Sequence, residues 1–259
     1  MRDNQHRGRD DRLVGGPAAL ARTVVARLLD REARTARPGD EAVIASIARA
    51  LLDPDRERMA GLLQDLRRAR IGDGELVDRY FPEVARFLGC AWAEDRAGFS
   101  DVTIGVARMQ AMLRLIGRGW SSNGVADPAG ATVLILLPEG EQHSFGATLL
   151  AGQLRRQGIS VRLEIGTGRA ALRRIVEAGS YDCAMISVAC EERLDQCGMA
   201  VDALKAGSGG RLRVAVGGPI LDRPVDVCRL TGADVATCNP LVALEGVVAG
   251  PVLKKEVAG

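Results

Sequence analysis

The spacing of apolar residues changes once along the chain, and that change demands a fold in two parts. Up to about residue 120, hydrophobic side chains recur every three or four positions, the period of amphipathic helices. From Ala131 onward, short runs of aliphatic and β-branched residues alternate with helical stretches. Between the two lies the segment SSNGVADPAG at 121–130, a linker by composition. A chain of 259 residues is long enough for two ordinary domains. The expected organisation is a tail over 1–15, a helical bundle over 16–120, the linker, a second domain over 131–250 and a tail over 251–259.

Five helical segments are expected in the first part. Pro17 opens the first, with Leu20, Val24 and Leu28 on one stripe. Asp40 caps the second, which carries Val43, Ile44, Ile47 and Leu51. Asp53 and Pro54 mark the start of the third, with Met59, Leu62, Leu63 and Leu66. The fourth begins near Gly74, carries Leu76, Val77, Tyr80, Val84, Phe87 and Leu88, and stops at Gly89. Ser100 caps the fifth, Asp101 complements its dipole, and Phe99 staples onto Ile104. Val102, Val106, Met109, Leu113 and Ile116 follow at helical spacing. Met109 and Met112 suit either a core or a cofactor surface, and core filling is the simpler reading.

The second part alternates strands and helices: strands over 131–137, 160–165, 182–188, 211–216 and 234–237, with helices over 145–157, 169–178, 191–206, 225–230 and 240–248. Short connections between such elements imply a doubly wound, Rossmann-like or flavodoxin-like α/β domain with a five-stranded parallel sheet. Domains of this class bind ligands at the carboxyl ends of their strands. The loops after Leu137, Ile165, Val188, Val216 and Thr237 are therefore where chemistry belongs.

Composition removes several classes of function. The net charge is +2, divided as +2 before residue 131 and zero after it, too little for nucleic-acid binding by bulk electrostatics. Arg67, Arg68 and Arg70 form the densest basic group and read as a solvated helix face. No apolar run of membrane-spanning length occurs, and no signal-peptide pattern opens the chain, so a cytoplasmic protein is expected. The six cysteines form no CxxC pair, which argues against zinc or disulfide roles.

One loop stands out chemically. Glu141-Gln142-His143-Ser144-Phe145-Gly146 follows the first strand and holds the chain's second histidine, the other being His6 near the N-terminus. A neutral imidazole is a metal ligand, and Glu141 is placed to accept a hydrogen bond from its second nitrogen. Gly146 lets the next helix begin close to a bulky ligand. Alone, this loop also fits an ordinary exposed histidine. The third strand ends in Ser187-Val188-Ala189 and the fourth in Gly217-Gly218-Pro219, which alone would be a tight turn.

Together these residues resemble the vitamin B12-binding domain of methionine synthase and the methylmalonyl-CoA mutases. That family's pattern is an Asp-x-His-x-x-Gly loop, a Ser-x-Leu strand end and a Gly-Gly pair. Here 40 residues separate Gly146 from Ser187 and 27 separate Ala189 from Gly217, which matches the family's spacing to within a residue or so. Glu141 replaces the family's Asp, and Ala189 its Leu. The resemblance implies that His143 displaces the cofactor's lower base and ligates cobalt. It implies that Ser187 bonds the inserted base, and that Gly217 and Gly218 make room for the nucleotide tail. Thr237 and Asn239 would lie near the same tail. The cofactor would be hydroxo-, methyl- or adenosylcobalamin.

The helical part extends the resemblance. Leu88-Gly89, Trp92, Asp95, Phe99 and Asp101-Val102-Thr103-Ile104-Gly105 are similar to the helical cap that covers the corrin's upper face, with Trp92, Val102 and Thr103 toward the cofactor. Light-sensing CarH-type repressors carry Glu-His ten and eleven residues after the tryptophan. Here Val102 and Thr103 stand in those places, so the second histidine ligand is missing. A DNA-binding helix-turn-helix module is missing too. The combination resembles the AerR/PpaA-type antirepressors of purple photosynthetic bacteria. That implies a light-responsive, non-enzymatic regulator acting through a DNA-binding repressor of the CrtJ/PpsR type, with DNA contacted through that partner. The alternatives are a corrinoid carrier passing methyl groups between methyltransferases and a flavodoxin-like interaction domain without corrinoid.

Overall fold

The computed structural model describes residues 40–121, 131–240 and 242–244. The helix expected from Pro17, both tails, residues 122–130 of the linker and most of the helix expected over 240–248 lie outside the described residues.

Helix α1 (Asp40–Leu52) turns Ile47, Ala48 and Leu51 inward. Helix α2 (Arg56–Arg68) begins two residues later than Asp53-Pro54 suggested. Asp55 is the cap, accepting the Glu57 N–H at 2.9 Å, while Asp53 accepts the Asp55 N–H at 2.9 Å. The two aspartates thus make consecutive local turns, and the helix can start only after the second. A single turn (Asp73–Glu75) and a π-helical turn (Leu76–Tyr80) run directly into α3 (Phe81–Ala93). Tyr80 donates its hydroxyl to Asp40 at 3.1 Å, and Arg79 pairs with the same carboxylate, which fixes the start of α1 against this turn.

Gly89 does not end α3. The helix continues to Ala93, and Asp95 takes the left-handed position at φ 54°. The Arg96 N–H donates to Ala91 O at 2.7 Å and the Asp95 N–H to Trp92 O at 3.1 Å, the paired bonds of a Schellman stop. Aspartate serves there because its short polar side chain tolerates the left-handed region. Helix α4 (Phe99–Ser121) likewise starts before Ser100. Asp101 reaches back to the Gly98 N–H at 3.3 Å, so Gly98 is the boundary. The expected Phe99–Ile104 staple is not formed. Both side chains are largely exposed, and Phe99 lies against Trp92 instead. Met109 and Met112 are core residues in this helical part.

The second part contains β1 (Thr132–Leu137), α5 (Ser144–Arg156), β2 (Ser160–Ile165), α6 (Arg169–Ala178), β3 (Cys183–Ser187), α7 (Leu194–Ser208), β4 (Arg213–Gly217), α8 (Val227–Thr231) and β5 (Val235–Ala236). All strand pairs are parallel, in the order β2-β1-β3-β4-β5. Side chains of β1 alternate between faces. Leu134 and Leu136 join a core with α6, α7 and α8, whereas Val133, Ile135 and Leu137 join one with α5, Ala243 and Leu244. Burial on both faces explains why β1 reads as an unbroken apolar run. Phe145 and Leu149 of α5 belong to the core of the helical part, so this one helix serves both parts.

Candidate cofactor site at the strand ends

In the order β2-β1-β3-β4-β5, the chain leaves β1 toward β2 on one side and returns through β3 on the other. That switch point opens a crevice beyond the carboxyl ends of β1 and β3. Glu141, in the loop after β1, bridges it. One carboxylate oxygen, Oε2, accepts the Ala189 N–H from the loop after β3 at 2.9 Å. The other, Oε1, accepts the His143 N–H at 2.9 Å and lies 2.6 Å from His143 Nδ1. The Glu141 side chain is 2% exposed. Burial alone pushes its pKa upward, but the hydrogen bonds from His143 N–H, Ala189 N–H and the His143 ring together hold it below its ordinary 4.5. An ionised acceptor at that position fixes the proton on Nδ1 and leaves the Nε2 lone pair available. The His143 side chain is 71% exposed, so Nε2 faces open space.

The contact expected between Glu141 and the ring is therefore present. Its bond to Ala189 is an addition that links two of the loops the sequence singled out. Gln142 is exposed, and its carbonyl accepts the Ser144 N–H at 2.9 Å, which shapes the turn into α5. Phe145 turns away from the crevice to meet Phe81, with ring centroids 6.4 Å apart. A Cβ at Gly146 would meet no atom within 4 Å.

Gly217 and Gly218 serve the protein itself. A Cβ on Gly217 would lie 2.6 Å from Thr237 O, and one on Gly218, at φ 101°, would lie 2.5 Å from Val188 O. They let the end of β4 approach both neighbouring strands. Val188 is fully buried, its N–H donating to Gly217 O at 2.9 Å, so its side chain packs in the core rather than toward the crevice. Ser187 closes β3 opposite Gly217. Pro219 is exposed and starts a short 3-10 turn. Thr237 Oγ1 accepts the Asn239 N–H at 3.0 Å, and both residues are half-buried beyond the end of β5.

Of the helical-part candidates, Trp92 and Thr103 are exposed, and Val102 packs partly on the helical core. Gly105 has a packing reason, since a Cβ there would sit 3.1 Å from Leu52 Cδ2. The contact from α4 to the histidine loop is made by a residue the sequence reading missed. Gln110 donates from Nε2 to Ser144 Oγ at 3.2 Å. Its position seven residues after Thr103, on the same helix face, was the available signal. Among the described residues no group of three or more His, Cys, Asp or Glu side chains is placed to hold a metal ion.

No family model matches the chain. A curated protein of Rhodobacter capsulatus, described as an uncharacterized 20.5 kDa protein in the bchF-crtJ intergenic region, is 38% identical over 176 residues, covering 68% of this chain and 92% of that protein. The chain belongs to that protein's family. The family's Rhodobacter member, encoded beside crtJ, agrees with the resemblance to AerR/PpaA-type proteins. Among solved structures, the Methanosarcina barkeri monomethylamine corrinoid protein superposes with a TM-score of 0.61 at 13% identity, over 78% of this chain and 95% of that one. A cobalamin-binding protein from Desulfitobacterium hafniense DCB-2 matches with a TM-score of 0.40 at 22% identity, over 79% and 95% of the two chains. The Methanosarcina likeness establishes a shared fold: helices followed by a Rossmann-like five-stranded domain.

Proposed function

We propose that this chain binds cobalamin at the β1–β3 crevice and passes the cofactor's state to a DNA-binding repressor of the CrtJ/PpsR type. The observation that carries the reading is the buried Glu141 holding His143 by Nδ1, with Nε2 free and exposed. The fold shared with a corrinoid protein and the kinship with a protein encoded beside crtJ support it.

The residues present fit the cofactor. His143 would be the lower cobalt ligand, oriented by Glu141. Gly146 leaves space where α5 approaches the ligand. Ser187, Thr237 and Asn239 would supply polar groups for the nucleotide tail. Cobalamin, when bound, would supply a light-sensitive cobalt centre. This chain's own part is to bind and orient the cofactor and to convert its state into surface shape. On this reading the chain is a regulator rather than an enzyme.

The test is an absorption titration with hydroxocobalamin and adenosylcobalamin, in the dark and after illumination. The expected result is a spectrum of histidine-ligated cobalamin that His143→Ala loses together with most of the affinity. An unchanged spectrum in the variant overturns the ligand assignment. Calorimetry with the repressor, with and without hydroxocobalamin, tests the output. Equal affinities in the two states reject the switch.

A further inference from the structure

We propose that a cleft between α1 and α2, in the helical part, is the docking site of the chain's own amphipathic segment 17–31, which lies in it as a further helix. The cleft has a volume of about 550 Å³. Leu62, Leu66 and Ile71 form its floor, and half-buried Val43 and Ala50 line its α1 side. Apolar lining of this extent gains by being covered. On α2, Glu57, Gly61 and Asp65 recur every four residues and form one wall. A glycine inside a helix is unfavourable unless something needs the room. Among the described residues a Cβ at Gly61 would meet only Asp65 Oδ2, at 3.7 Å, so nothing in α1 or α2 calls for a glycine there. A second backbone seated close in the cleft does.

Charge and reach select the occupant. The charged residues lining the cleft are Glu57 and Asp65, both exposed acids on the α2 wall. Asp65 already meets Arg68 at 2.9 Å, an exposed pair that a second cation can join. In the segment, Leu20, Val24 and Leu28 form an apolar stripe. At about 100° per residue, Arg27 and Arg31 fall within roughly 20° of Leu20, along one edge of that stripe. A helix that lays the stripe on the apolar floor therefore carries a row of cations beside it, to meet the row of acids. Residues 32–39 connect the segment to α1. Such a connection spans at most about 29 Å, and α1 is about 20 Å long, so the segment can fold back along it. A tether this short holds the segment near the cleft at about millimolar effective concentration, above what a free partner helix reaches. This inference is independent of the cofactor reading.

The experiment is amide hydrogen exchange on the full chain, read by mass spectrometry. In the wild type, amides of 17–31 should exchange at least about tenfold more slowly than in an unstructured peptide. Gly61→Leu, which fills the cleft without opposing the α2 helix, should abolish that protection. Glu57→Lys with Asp65→Lys should speed exchange in 17–31 by roughly tenfold, the scale of two exposed ion pairs lost and reversed. Adding Arg27→Glu and Arg31→Glu to that variant should restore the wild-type rate. Amides of α5 should exchange alike in all of them, which shows that the variants are folded. A wild-type segment that exchanges at the unstructured rate overturns the proposal. So does protection that survives Gly61→Leu and the two lysines, because the segment would then dock elsewhere. Protection that rises with protein concentration also overturns it, since the occupant would be a second copy of the chain.

Discussion

Glu141 is a carboxylate placed where an unpaired charge would be expensive, and it stays ionised because three N–H groups converge on it. Its folded pKa lies below the ordinary 4.5, with burial opposing and the hydrogen bonds prevailing. Stability from such a group is full above the unfolded pKa and is lost as the pH falls through the folded one. Glu141→Gln, which aims an amide NH2 at donors, should cost about 1–3 kcal/mol at neutral pH. That deficit should shrink as the solution is acidified well below 4.5, because the wild type then loses its own carboxylate. Urea denaturation of both proteins across this range checks it, and equal stability at neutrality would show that the tether contributes nothing. The ring contact was legible, since Glu141 and His143 are two residues apart. The bond to Ala189 was not, because those residues meet only through the sheet topology.

At the scale of elements, two glycines of the site separate folding from binding. A Cβ on Gly218 would clash with Val188 O at a left-handed φ, so Gly218→Ala should destabilise the cofactor-free protein by about 1–3 kcal/mol from backbone strain, with the clash in addition. Gly146 lies in the first turn of α5 with open space around it, so Gly146→Ala should leave the cofactor-free melting temperature unchanged or slightly raised. It should nonetheless weaken cobalamin binding if the ligand occupies that space. Thermal melts and titrations of both variants decide this, and a Gly146→Ala protein that binds like wild type would place the ligand elsewhere. Periodicity revealed the elements well but their ends less so. The helix starts at Asp55 and Gly98, and the α3 stop at Asp95, depend on local side-chain and backbone bonds that compete with nearby candidates such as Asp53, Ser100 and Gly89. The pair of residues that ends up in β5 shows the same limit, since only pairing with β4 defines it.

Across the whole molecule, α5 joins the two parts. It starts at the histidine loop, inserts Phe145 and Leu149 into the helical core, and ends at Arg156, which pairs with Asp78 of the π-helical turn. A doubly wound domain behind a helical part was readable from the change of period. This joint was not, since Asp78 and Arg156 are 78 residues apart and no hydrophobic stripe records an ion pair. The side chains of both residues are mostly buried, so deleting one partner would strand a charge, whereas replacing both with apolar residues of similar size removes the link at little cost in stability. Asp78→Leu with Arg156→Met is therefore the informative variant. A ligand shifts an equilibrium only by its differential affinity for two arrangements, and couplings of this kind are typically about 1–3 kcal/mol, or roughly 5–150-fold in partner affinity. If displacement at His143 reaches the helical part through α5, the double variant should bind hydroxocobalamin with an unchanged spectrum. The difference in repressor affinity between its loaded and cobalamin-free forms should nevertheless shrink toward none. Calorimetric titration of the repressor into both forms measures that difference. A double variant that retains the wild-type ratio would show that the signal leaves the site by another route, with the Gln110–Ser144 contact on α4 the next one to break.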